Sequence, residues 1–271
     1  PTADGSADQV LKTDGSGSLS WTAASSGASN VNGLSDALIE DNSLYLGQDP
    51  SSTTSTAEYN LSIGVTALDA ITTGDANIAI GHDALSANTT GSGNLAIGYG
   101  AYDNADTEGN NLAIGRDALG GSINGGETNI AIGNYSLDAN TSGDRNVALG
   151  YVALTQNSTG TYNVAIGSGA SQLNSSGSSN TSLGNNSMYS NTSANYNTAI
   201  GAEALYDIAR TSDTDGYNTA LGYNAGNTGT NDITTGNKNT LLGASTAASA
   251  AAGTNQTVIG YGASGIANNS V

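Results

Sequence analysis

The chain has one histidine, no cysteine, 23 acidic residues and 13 tyrosines, so any chemistry must be assembled from His82, carboxylates, hydroxyls and phenols. A histidine base needs an orienting partner and a nucleophile in reach. The residues that follow Gly81 at the place of His82 elsewhere in the chain (Tyr99, Arg116, Asn134, Tyr151, Ser168) are varied and polar, which predicts a solvent-facing turn. Asp83, Asp117, Glu203, Asp213 and Asp215 supply carboxylates for a hydrolytic pair. Asp213-Thr214-Asp215 is the best local candidate for Ca²⁺, although the nonapeptide pattern of calcium-binding β-rolls is absent. These acids are read as solvated loops, and no catalytic, cofactor-binding or metal-binding residue is assigned. Thr181, Thr198, Thr219, Thr240 and Thr257 form a regular series of the kind that binds ice, but on the face shared with Ile200 and Leu221 they are read as an interior column or a change in trimer packing. Tyr99, Tyr151, Tyr223 and Tyr261 are the receptor-binding candidates: exposed tyrosines dock on sugars and proteins at little entropic cost.

These residues hang on a repeat. The word Asn77-Ile78-Ala79-Ile80-Gly81 recurs with its glycine at 47, 64, 81, 98, 115, 133, 150, 167, 184, 201, 222, 243 and 260. The interval is 17 residues except for one of 18 and two of 21. A short unit at fixed period predicts a solenoid in which each coil contacts only its neighbours.

Within the unit, Ile78 and Ile80 flank Ala79, and period two over a few residues bounded by Gly and Asn predicts a short strand. The large aliphatics are assigned to the inside of the roll and Ala79 to a flat outer face that a neighbouring roll can approach. Ala84-Leu85 and its equivalents predict a second strand per coil. Gly81 is placed at a sharp corner where φ > 0 is needed. Gly74, Gly91, Gly143 and their equivalents serve the opposite turn. Asn77, Asn94, Asn111, Asn129 and onward to Asn239 should stack as a ladder at the ~4.8 Å spacing of neighbouring strands.

Residues 1–41 lack the repeat. Gln9–Thr13 and Ser18–Thr22 around Asp14-Gly15-Ser16-Gly17 read as a β-hairpin, residues 23–30 as a linker, and Leu34–Ile39 as one helical turn. Residues 42–271 are the repeat domain, with Asn42–Gly47 as a degenerate first unit, Ser43 standing where Asn usually does, and Pro50 to Thr56 as its outgoing loop.

Composition narrows the partners. A net charge of −18 disfavours nucleic acid and anionic membranes, both of which require basic surface. No apolar run is long enough to span a bilayer as a helix, so no membrane insertion is expected. The absence of Phe and of all but one Trp leaves no bulky mixed core of the kind an enzyme this size uses. The chain starts at Pro1 and is expected to be a segment of a longer polypeptide, and Asn269-Ser270-Val271 reads as the opening of one more coil.

The repeat N-x-A-I-G-x-x-A resembles that of the trimeric adhesin head domain typified by YadA, whose unit is shorter. Ala3–Trp21 and Leu34–Gly47 resemble segments that precede such repeats in tail fibres of marine and cyanobacterial phages. The resemblance implies an all-β, left-handed parallel β-roll of about 13 coils, packed as a homotrimer. It further implies a non-enzymatic fibre on a virion, or a bacterial surface adhesin of the same fold. The implied partners are a host glycan or protein receptor and other fibre or baseplate proteins. A glycan-degrading tailspike is the remaining class.

Overall fold

The computed structural model describes residues 9–13, 15–23, 37–47, 50, 55–122, 124–208 and 215–271. Among them the chain is all-β. Strands β1 (Gln9–Thr13) and β2 (Leu19–Ala23) pair antiparallel, Val10 opposite Thr22 and Lys12 opposite Ser20, as the hairpin reading expects. The helical turn expected at Leu34–Ile39 is corrected over its described part: Ala37–Glu40 is a strand, β3, antiparallel to β4 (Ser43–Leu46) through a two-residue turn at Asp41 and Asn42, both at positive φ. Alternating side chains over four residues satisfy either period, and the tight turn decides for the hairpin. Residues 24–36, 48, 49 and 51–54, which include most of the expected linker and outgoing loop, lie outside the described residues.

From β4 the chain becomes a solenoid. Twelve three-residue strands follow, from β5 (Leu61–Ile63) to β16 (Thr257–Ile259), each parallel to the one before in unbroken register. Leu46, Ile63, Ile80, Ile97 and Ile114 stand in one row. Twelve steps at ~4.8 Å make a rod of about 60 Å.

Two sequence expectations are corrected. The first is which face of the strand is inside. Ala79, Ala96, Ala113, Ala131, Ala148 and Ala165 are completely buried, whereas Ile63, Ile78, Ile130, Leu149, Leu183, Leu221 and Leu242 expose 36–44% of their surface. The second is the Ala84-Leu85 segment, which is a turn and not a strand; Leu85, Leu119, Leu137, Leu154 and Leu205 all have φ of 50–56°. These two facts explain each other. The left-handed turn aims Leu85 across the coil, where it is fully buried, and one Leu fills the interior opposite an alanine. An isoleucine at position 79 would overfill a core of that width. The left-handed conformation costs about 1–2 kcal/mol per L-residue, and burial of a leucine offsets it by roughly 1.5–3 kcal/mol.

The coil changes its filling without changing its shape. Toward the C-terminus the leucine position holds Gly226 and Ala247 while the alanine position of the next strands holds Leu241 and Val258, both buried. A Cβ on Gly226 would lie 2.8 Å from Leu205 Cδ2 and 3.0 Å from Leu241 Cδ1, so the large side chain now enters from the strand. Where Ser171 takes the leucine position, its hydroxyl donates to buried Ser182 Oγ at 2.9 Å, and the polar pair is satisfied.

Hydrogen bonds join successive coils around their perimeter as well as at the strands: Leu68 N–H donates to Ala84 O, Thr72 to Thr89 O and Gly81 to Ile63 O. The asparagine ladder is present and more closely tied to backbone than a side-chain stack. Each Asn Oδ1 accepts the backbone N–H of its counterpart one coil on, at 2.8–3.2 Å from Asn60 through Gln256. Most Nδ2 groups donate to the opposite turn, as Asn77 does to Gly91 O and Asn163 to Gly177 O. The sequence reading missed a second buried ladder: Asn157 Nδ2 donates to Asn140 Oδ1, Asn174 to Asn157 and Asn191 to Asn174, at 2.8–3.1 Å. Its signal is an asparagine three residues before the opposite-turn glycine, as in Asn157 and Gly160.

The two glycine series differ in their reasons. Gly81 has φ 135°, and a Cβ there would overlap the carbonyl oxygen of Gly98. Gly91 needs no positive φ; it is required because a Cβ would strike Glu108 O. Ser43 closes the first coil in place of asparagine, accepting Asn60 N–H at 2.9 Å. At the far end Thr257 N–H donates to Ser270 O, so Ser270 stands where the next asparagine would.

Candidate functional surface

The repeat projects its variable residues in rows along the rod. The row that follows the corner glycine contains the four tyrosine candidates: Tyr99, Tyr151 and Tyr223 are more than half exposed and Tyr261 almost wholly so. Stacking brings Tyr99 together with His82, whose ring lies parallel at 5.3 Å, and with Arg116, whose guanidinium carbon is 5.4 Å from the Tyr99 centroid. Tyr151 meets Tyr135 edge-on at 6.3 Å. Tyr223 and Tyr261 stand farther along the same row, separate from this cluster.

His82 faces solvent as its position predicts, and it does have a carboxylate partner: Nδ1 lies 2.7 Å from Asp83 Oδ2. The neighbouring hydroxyl, Thr66, also bonds Asp83 and not the imidazole. The three groups therefore lack the hydroxyl-to-base contact that nucleophilic catalysis requires. Asp83 and Asp117 occupy equivalent corners two coils apart, roughly 10 Å. Asp103 and Asp117 converge over Gly100, and Arg116 pairs with Asp117 at 3.2 Å. Asp215 accepts from the Tyr217 hydroxyl at 2.9 Å, while its proposed calcium partners Asp213 and Thr214 lie outside the described residues. Among the described residues no group of three or more His, Asp or Glu is arranged to hold a metal ion, and no helix is long and apolar enough to cross a membrane.

Burial, reinforced by the carboxylates of Asp117, Asp83 and Asp138, pushes the Asp103 carboxyl up to about 6. Asp69 and Asp138 are raised for the same reason. Because the folded value exceeds that of the unfolded chain, the native state binds protons more tightly between pH 4 and 6. Stability is therefore gained as pH falls from 7 through 6, and lost again on the way back up. For a half-exposed group the gain is under about 1 kcal/mol after screening. The midpoint of thermal unfolding followed by circular dichroism should be higher at pH 5 than at pH 7.5, and Asp103→Asn should reduce that difference.

The threonine series is also relocated. Thr181, Thr198, Thr219, Thr240 and Thr257 share the outward face of their strands with Leu183, Ile200, Leu221, Leu242 and Ile259, so they are not an interior column. The outer sheet face consequently has two halves, aliphatic in both rows as far as Val164 and threonine-plus-aliphatic beyond it.

A second aromatic row escaped the sequence reading. It lies five residues before the corner glycine, at Tyr59, Tyr162, Tyr196 and Tyr217, each about half exposed or more and each at φ 49–61°. Tyr196 and Tyr217 stack at 5.1 Å and 5°, and Arg145 lies 5.4 Å from the Tyr162 centroid. Tyr189 and Tyr206 stack likewise, at 5.0 Å, on another flank of the coil. At the last coil Val258, Ala263, Ile266 and Val271 line a recess that contains no ionisable side chain.

Compared with models of known protein families, with curated proteins and with solved structures, the chain gives no match.

Proposed function

We propose that this chain is a non-enzymatic structural and adhesive segment of a homotrimeric fibre, of the tail-fibre kind its N-terminal segment resembles, which acts outside the cell in host-surface recognition. The observation that carries the proposal is the outer sheet face. The row from Leu46 to Ile259 is aliphatic at every coil, and many of its members are more than a third exposed. With its companion row, aliphatic as far as Val164, this face runs the length of the rod as a continuous stripe, unlike the singly scattered apolar residues of an ordinary monomer surface. Other copies of the same chain match its length and spacing coil for coil. The number three follows from the family resemblance. Side by side, the rods hold the tyrosine rows in three copies, so that avidity raises weak single contacts.

Sedimentation equilibrium tests the assembly. The expected mass is three times the 26.7 kDa of the chain; a monomer at micromolar concentration would overturn it.

A further inference from the structure

The second aromatic row is a ladder with one rung missing. Arg145, Tyr162, Ser179, Tyr196, Tyr217 and Lys238 occupy the same place in six successive coils, and all have φ between 49° and 58°. Their side chains therefore leave equivalent points of the backbone. Tyr196 and Tyr217 show what adjacent rungs do: parallel rings at 5.1 Å. Arg145 covers one face of Tyr162, with its Nη1 donating to the Tyr162 hydroxyl at 2.9 Å. Ser179 puts only a hydroxymethyl group between Tyr162 and Tyr196, whose side chains leave equivalent backbone points two coils apart, roughly 10 Å. A slot one ring thick is left, with a tyrosine on either side and a serine at its floor.

We propose that this slot takes a single pyranose ring of β-gluco configuration from a neutral surface glycan. The spacing sets each tyrosine about 5 Å from the centre of an inserted ring, the same spacing as the Tyr196–Tyr217 stack, and the proposed role on a host surface selects a sugar over a flat heterocycle as that ring. Sandwiching requires both sugar faces to be apolar. In a β-gluco pyranose the substituents are equatorial and axial C–H bonds cover both faces, whereas an axial hydroxyl at C4 places oxygen against one tyrosine. The net charge of −18 disfavours an anionic sugar. The inference rests on the proposed role in surface recognition and gives it a ligand class and a location.

Saturation-transfer NMR with methyl β-D-glucopyranoside and methyl β-D-galactopyranoside, on the assembled protein, tests it. Transfer to the glucoside ring protons is expected, and it should exceed transfer to the galactoside. Ser179→Tyr adds the missing rung, in a conformation that tyrosine already adopts at positions 162 and 196; it should leave the fold intact and cut transfer roughly five-fold or more. Tyr196→Ala should do the same by removing a wall. No transfer to the wild type, equal transfer to both sugars, or full transfer to Ser179→Tyr would overturn the slot. Sedimentation of the same samples separates the two proposals: a trimer that ignores the glucoside refutes only the slot, and a monomer that binds it refutes only the assembly.

Discussion

Ala131→Asp is expected to unfold the middle of the rod, whereas Ile132→Asp, one residue on, is expected to leave each rod folded and separate the copies. Ala131 is completely buried in one core with the turn leucines, and no Lys, Arg or His is buried there among the described residues. An unpaired carboxylate there costs about 3–5 kcal/mol or more, and the coils on either side lose their neighbour. Ile132 points out of the same strand. An aspartate at that position keeps its hydration in the single chain, and the folding cost should stay within about 1 kcal/mol. In the proposed fibre the same carboxylate would sit in the apolar contact, repeated in every copy. Circular dichroism should therefore report a strand spectrum for Ile132→Asp and its loss for Ala131→Asp, with sedimentation giving the Ile132→Asp protein as a monomer. The reverse pattern would mean that the faces of the strand have been assigned the wrong way round.

The second large effect is a coupling between two positions 15 residues apart. Leu241→Ala should cost about 2–5 kcal/mol, because Gly226 offers nothing to collapse into the cavity. Gly226→Leu should cost about 1–3 kcal/mol, because Leu205 and Leu241 already occupy the space. Together the two changes restore the filling used by the earlier coils, leucine from the turn and alanine from the strand. The double variant should be more stable than the sum of the singles predicts by about 1–3 kcal/mol. Denaturant midpoints for the four proteins measure this directly, and additive costs would show that the two sites do not share one cavity.

Much of this architecture is legible in the sequence. The glycine period gives the coil, Asn77 and its counterparts give the ladder, and the Gly15–Gly17 turn gives the hairpin. The inside and the outside are not legible in the same way. Alternation of Ile78, Ala79 and Ile80 shows that two faces exist, and residue size ordinarily decides between them, with the larger side chain buried. Here the decision lies in the opposite wall, where Leu85 adopts a left-handed conformation that local propensity disfavours and fills the coil by itself. Once Leu85 is inside, only a methyl group fits across from it. The same error hid the surface chemistry: with isoleucine placed within, the threonines beside it had to be interior as well, and the exposed face went unread. Of the tyrosines, those after the corner glycine are apparent from the repeat, while the ladder at Tyr162, Tyr196 and Tyr217 emerges only when coils are aligned in space and Ser179 is seen as a gap.

The hydrogen bonds that cross from each coil to the next have a consequence for how the molecule varies in length. Nearly every one of them joins residues about one period apart, and the 18-residue and 21-residue coils keep the strand register on both sides of their extra residues. No coil is privileged as a centre, and the extra residues of the Gly222–Gly243 coil are absorbed between Gly226 and Ile233, whose N–H donates to the Gly226 carbonyl. A whole period can be duplicated or excised by unequal recombination within the gene and the new junction is an old one, already solved. Reach therefore changes in steps of ~4.8 Å, a digital ruler whose graduations are written in the DNA.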